Sequence, residues 1–298
     1  MIKKNFKIRA LLIIATIIVV YLVSSISNTL DDTDYFSSAI KIINGDDYSK
    51  CPLLFEHSIK LLQEKPNSLE TMYLLEKIMD FLSKKQILDN FEPIYDKYGL
   101  GSITSIGNVN YSTSKKIMIS LILAAGIEKP YDGRCSHEFE ITSAKGEKFL
   151  KEIALNCNDN NYKAIVEYIF IIGTTGIISN QKEIDDFISK YPNHKFLPLI
   201  YLYKIMAKIN QRKSKNGEFS REEKNNIISE AQKYGKEYET IITPFGYSIA
   251  DEYYFFISNL YFEFNEIKNA EEYFKILKND KYDQIKIEEL SKKLKEFN

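Results

Sequence analysis

Residues 250–280, ADEYYFFISNLYFEFNEIKNAEEYFKILKND, constrain the fold of this chain more than any other stretch. Tyr254, Ile257, Ser258 and Tyr261 recur at i, i+3, i+4 and i+7, which is one face of a helix. Beyond a break at Asn265, Ala270, Phe274 and Leu277 recur at i, i+4 and i+7 on a second helix. The small side chains Ser258 and Ala270 let the two helices approach closely, and the surrounding aromatic rings fill the space between them. The pattern predicts a tightly packed helix pair.

The same periodicity recurs along the chain. Residues 31–44 carry Tyr35, Phe36, Ala39, Ile42 and Ile43 at helical spacing. A second helix, with Leu54, Ser58, Leu61 and Leu62, ends near Pro66, because proline cannot continue it. Asn67 and Ser68 open a third, whose apolar face is Leu69, Met72, Leu75 and Met79. A fourth, about residues 86–98, contains Pro93 and is expected to kink. Glycine-rich residues 99–112 read as a loop, 113–127 as a helix, and 128–146 as an irregular insertion or degenerate unit. Further helices are expected at 146–156, at 161–173, on either side of a turn at Pro192 within 183–209, and at 220–239, the last opened by a capping box of Ser220 and Glu223. A terminal helix, 285–297, turns Ile287, Leu290, Leu294 and Phe297 inward and Lys292, Lys293 and Lys295 outward. Residues 183–209 echo 61–79, since both pass through Pro-Asn, then Tyr-Leu, then Lys-Ile-Met.

The spacing of small and aromatic residues in 251–280 resembles the tetratricopeptide repeat, two antiparallel helices in a unit of about 34 residues. The resemblance is fair over 32–66 and 183–209 and weak elsewhere, and Lys281 and Tyr282 stand where that family usually has proline. It implies an all-α fold, a solenoid of antiparallel helix pairs at 31–100 and 147–298 around an irregular segment at 101–146, closed by a C-terminal capping helix. It also implies a concave inner face, onto which Glu252, Phe255, Asn259 and Phe262 fall. Asn259 stands where some members hold a peptide carboxylate, although the accompanying lysine is missing from this helix. The alternative reading of the same helix is burial, because nearly all its faces are apolar.

Residues 1–27 contain Lys3, Lys4, Lys7 and Arg9 and no acid, ahead of the apolar run at 10–23. They read as a signal peptide or an uncleaved anchor that leaves the body across the membrane. The fourteen-residue run suits a signal peptide, and extending it to Ile26 gives 17 residues, close to the shortest spans. Taking those four cations from the 40 basic residues leaves 36 against 41 acids, a net of −5 for the body. A weakly acidic body is a poor match for phosphate, so nucleic acid is not an expected partner.

No catalytic constellation emerges. His57, His137 and His194 are the only histidines, and the spacing of Cys135, His137 and Cys157 does not suit structural zinc. No metal or cofactor is expected. Outside the cytoplasm Cys135 and Cys157 are able to pair; the other reading is three ordinary buried thiols with Cys51. The expected function is a helical-repeat scaffold of the cell envelope that holds a protein or peptide partner, in assembly or secretion. The alternatives are an envelope enzyme of unfamiliar helical fold and a solenoid that captures peptide or glycan.

Overall fold

The computed structural model describes residues 34–45, 48–82, 94, 97–99, 102–124, 144–173, 181–214, 219–279 and 282–297. Twelve α-helices run through them. They are α1 (Tyr35–Asn44), α2 (Cys51–Glu64), α3 (Leu69–Leu82), α4 (Thr113–Ala124), α5 (Ala144–Asn156) and α6 (Asn160–Gly173). The rest are α7 (Gln181–Lys190), α8 (Leu197–Ser214), α9 (Arg221–Glu237), α10 (Ile249–Glu263), α11 (Ile267–Asn279) and α12 (Gln284–Phe297). The described residues contain no strand, only an isolated bridge between Ile242 and Ser248. The fold is therefore all-α. The expected anchor at 1–27, Cys135, His137 and most of the expected helix at 86–98 lie outside the described residues. No helix among the described residues is long and apolar enough to cross a membrane.

Helices adjacent in sequence pack together within α1–α3 and again from α4 through α12. Further contacts skip one helix, joining α1 to α3, α2 to α4, α4 to α6, α8 to α10 and α10 to α12. Stacking of this kind is compatible with a helical repeat, in which each unit buries its apolar face on its neighbours. One hydrophobic core extends from Phe36 to Leu260, and a second gathers Tyr247, Phe262, Ala270, Leu277, Tyr282, Ile287 and Leu290.

The pair α10–α11 shows why the opening sequence pattern folds as it does. Ser258 and Ala270 are fully buried, and Ser258 Oγ donates to the Ala270 carbonyl at 3.0 Å. Ile257 and Leu277 are fully buried, while Tyr254, Tyr261 and Phe274 are half-buried around the seam. Asn265 has φ 60°, a left-handed conformation that asparagine tolerates, and it ends α10. The amides of Asn265 and Glu266 then donate to the carbonyls of Phe262 and Tyr261, at 3.0 and 2.8 Å. These two bonds satisfy carbonyls that the helix end would leave bare.

Starts are equally specified. Ser220 and Glu223 form both bonds of a capping box on α9. Ser248 and Asp251 do the same for α10, a start that the Glu/Gln template does not pick out. Gly146 permits the contact between α5 and α4, since a Cβ there would lie 2.2 Å from the Ala124 nitrogen.

The two echoed segments meet in space. The turn before α3 and the turn before α8 are joined by the Lys195 amide, which donates to Asn67 Oδ1 at 2.8 Å. The segment between α9 and α10 reaches back to the first helices. Its Phe245 ring lies 5.4 Å from both Phe36 of α1 and Tyr73 of α3. The C-terminal helices are thus anchored on the N-terminal ones, a contact that an open chain of repeats does not require.

Candidate functional site

Helices α1, α3, α8, α10 and α12 surround a cavity of about 1010 Å³. Its walls carry six aromatic rings, Tyr73, Tyr203, Phe245, Tyr247, Phe255 and Phe256, among aliphatic and charged side chains. A volume of this order holds a drug-sized molecule or a short peptide segment.

The capping box at Ser248 positions one side of the site. It starts α10 so that Glu252, in the first turn, projects toward the cavity. Gly246, at φ 88°, turns the preceding chain and brings Tyr247 beside that carboxylate. Tyr247 donates to Glu252 Oε1 at 2.7 Å, Tyr282 donates to Oε2 at 3.0 Å, and Lys286 of α12 donates to Oε2 at 2.5 Å. Burial, then the negative charge of Glu252, pushes both tyrosines far above the usual phenol range. Both therefore stay protonated and act as donors.

A second carboxylate, Glu76 of α3, accepts hydrogen bonds from Tyr168 of α6 and Tyr203 of α8. Glu76 keeps some exposed area, but that area faces the cavity, and the carboxyl lies deep in the protein. Desolvation raises its pKa above the ordinary carboxylate value, although the two tyrosine hydrogen bonds oppose the shift. Glu76 and Tyr203 each immediately precede Lys-Ile-Met in the echoed segments. The two echoed segments thus bring matching positions, one acidic and one phenolic, into contact.

Tyr73, one turn before Glu76, is 4% exposed, and its hydroxyl has no hydrogen-bond partner. Tyr247 interacts with it without reaching hydrogen-bond geometry, and burial holds Tyr73 protonated well above its usual range. Lys213 lies 2.7 Å from Glu263, and Lys293 lies 2.9 Å from Glu289. These ion pairs sit at the cavity wall.

Of the expected inner-face residues, Glu252, Phe255 and Asn259 line this cavity. Phe262 does not. It is 6% exposed and packs with Ala270 and Leu277 in the second core. At that end of α10 the cavity wall passes instead to Leu260 and Glu263, and Phe262 is covered by α11. Lys293, expected on the outer side of α12, instead donates to Asn259 Oδ1 at 2.5 Å. A lysine beside Asn259 therefore comes from another helix.

Sequence reasoning missed Glu76, Tyr73, Tyr168 and Tyr203. The discernible sign was a lone glutamate inside MYLLEKIM, where neighbouring residues are apolar. The cavity has no lining residue from 99–146, and His137 lies outside the described residues. Among the described residues no group of three or more His, Cys, Asp or Glu is placed to hold a metal ion. Cys157 is half-buried and donates to the Asp159 carbonyl at 3.7 Å; its expected partner Cys135 is outside the described residues.

The geometry suits binding. It offers rings for apolar contact, two carboxylates fixed by tyrosine donors, and ion pairs toward the rim. Comparison with family models, with curated proteins and with solved structures finds no match.

Proposed function

We propose that this chain is a tetratricopeptide-like binding protein of the cell envelope, exported or anchored through its N-terminal segment, whose ligand enters the cavity between α3, α8, α10 and α12. The observation that carries the reading is the cavity itself, about 1010 Å³ with six rings and two tyrosine-held carboxylates. Fixing two carboxylates with four phenols costs desolvation that a purely packed interior avoids. A surface kept polar and concave at that cost is suited to a ligand. The cationic flank and apolar run before residue 27 support export. The close α10–α11 seam and the contacts that skip one helix support antiparallel repeat pairs.

A protein or peptide partner fits the size and shape of the cavity, and a role in envelope assembly or secretion follows from the proposed location. The test is a photo-crosslinking residue at Asn259 of the full chain, activated in intact membranes. An adduct that forms at Asn259 and not at Ile276, on the exposed side of α11, supports the reading. Equal labelling at both positions, or none at Asn259, defeats it. A reporter active only after export, fused behind Asn298, checks the location, and activity from a cytoplasm-only reporter would reject it.

A further inference from the structure

Of the carboxylates that line the cavity, Glu252 and Glu76 are held by tyrosine donors, and of these two only Glu252 binds a cation among the described residues. Glu252 binds the Lys286 ammonium, whose nitrogen also lies 5.3 Å from the ring centroids of Phe255 and Tyr282. A carboxylate flanked by aromatic faces suits an ammonium, through ion pairing and through the negative potential above each ring. The protein therefore contains one filled example of such a site.

Glu76 has comparable surroundings without the cation. Tyr168 and Tyr203 donate to it, and the rings of Tyr73 and Tyr203 line the same cavity. Among the described residues no lysine or arginine lies within ion-pair distance of it. Four lysines line the cavity, and three of them, Lys213, Lys286 and Lys293, are placed on Glu263, Glu252 and Glu289, while Lys77 stands beside Glu76 without an ion pair among the described residues. Against these four the lining carries six carboxylates, Glu76, Asp80, Glu252, Glu263, Asp283 and Glu289, so its balance of charge favours a cationic ligand.

Tyr73 supplies a second, independent observation. It is 4% exposed, it lines the cavity, and its hydroxyl oxygen has no hydrogen-bond partner. A buried hydroxyl left unpaired is costly, and a ligand N–H donating to its oxygen would recover that cost.

We propose that the cavity takes an alkylammonium group, with Glu76 as its anionic anchor and the Tyr73 hydroxyl as a second acceptor. The group is either a lysine side chain of a peptide or a free aliphatic amine. This rests on the reading of the cavity as a ligand site. The lining rings cover the aliphatic stem, and the ammonium nitrogen donates to Glu76 and Tyr73.

Calorimetric titration of the full chain in detergent tests it with three probes: cadaverine, a short alanine peptide containing one lysine, and the same peptide with that lysine acetylated. Binding of cadaverine alone identifies the free amine as the source, and binding of the lysine peptide identifies a protein side chain. Where the lysine peptide binds, its acetylation is expected to weaken binding roughly tenfold or more, because it removes the charge. Glu76→Gln keeps the shape and the tyrosine partners and is expected to weaken the amine by a similar factor. Tyr73→Phe should weaken it severalfold, and Glu271→Gln, on the exposed face of α11, should leave it unchanged. An acetylated peptide that binds as well as the free one, or undiminished amine binding by Glu76→Gln, overturns the assignment. If neither amine binds while the Asn259 crosslinker still traps a partner, the ammonium assignment falls and the ligand cavity stands. Silence in both experiments removes both.

Discussion

Helix α10 presents two faces that obey different rules. Toward α11 it shows Ser258, fully buried and bonded to the Ala270 carbonyl, beside the fully buried Ile257. Toward α3, α8 and α12 it shows Glu252, Phe255 and Asn259, which border an open volume, with Glu252 and Asn259 bonded to Lys286 and Lys293 of α12. The first face is closed by small residues, and its free energy comes from excluding water and matching shapes. The second holds charge and rings at an interface with water, which a core would avoid. The contrast separates residues that hold the fold from residues free to serve a ligand, on one helix and within a few turns.

The widest separation should appear between two phenylalanines that look equivalent in the sequence. Phe262→Ala removes a ring from the second core and should cost about 3–5 kcal/mol. Phe255→Ala opens a wall that already borders solvent and should cost about 1 kcal/mol or less. Urea unfolding of the two variants measures this, and equal losses would erase the distinction between the faces.

The seam itself is probed by enlarging it. Ala270→Leu inserts volume where the helices touch and should cost roughly 1–3 kcal/mol. Glu271→Leu, one residue on and exposed, should change stability by about 0.5 kcal/mol at most. Similar melting temperatures for the two would show that α10 and α11 do not meet at Ala270.

Acid should act in opposite directions on a packed group and a cavity group. His194 is 7% exposed among Phe187, Tyr191 and Phe196, its Nε2 has no partner, and burial lowers its pKa to about 4. The unfolded chain takes up this proton first, so stability is lost as pH falls from about 6.5 toward 4. With allowance for residual solvent screening the loss is roughly 2 kcal/mol, and His194→Leu should remove it. Glu76 has the reverse sign. Its raised pKa gives stability that is complete in acid and is lost as pH rises through the folded value. Glu76→Gln should therefore stabilise the empty protein at neutral pH, by on the order of 1 kcal/mol, with the gain shrinking in acid. Thermal melts across this pH range check both signs, and a Glu76→Gln variant less stable at neutral pH would contradict the assigned cost.

Much of the fold was legible because helices announce themselves locally. Ser258 and Ala270 placed the seam, Asn265 its turn, and Ser220 with Glu223 the start of α9, each from residues within a few positions. The cavity was only partly legible. Glu252, Phe255 and Asn259 lie on one stripe of α10, so periodicity reached them. Glu76, Tyr168 and Tyr203 come from three helices, and nothing local tells a buried glutamate from a solvated one. Phe262 shares the periodicity of Phe255, but the ring meets Ala270 and Leu277, and spacing within α10 does not show where α11 will pack. Lys293 was placed outward by charge alone, before Asn259 and Glu289 were known to lie within its reach.

The central claim is that the open face of α10 binds while its closed face packs. Phe255→Ser in the full chain tests it, with helicity followed by circular dichroism and ligand capture followed by the Asn259 crosslinker in membranes. The expected result is a protein of wild-type helicity that no longer yields the Asn259 adduct. A folded Phe255→Ser protein that still forms the same adduct in full would contradict the account.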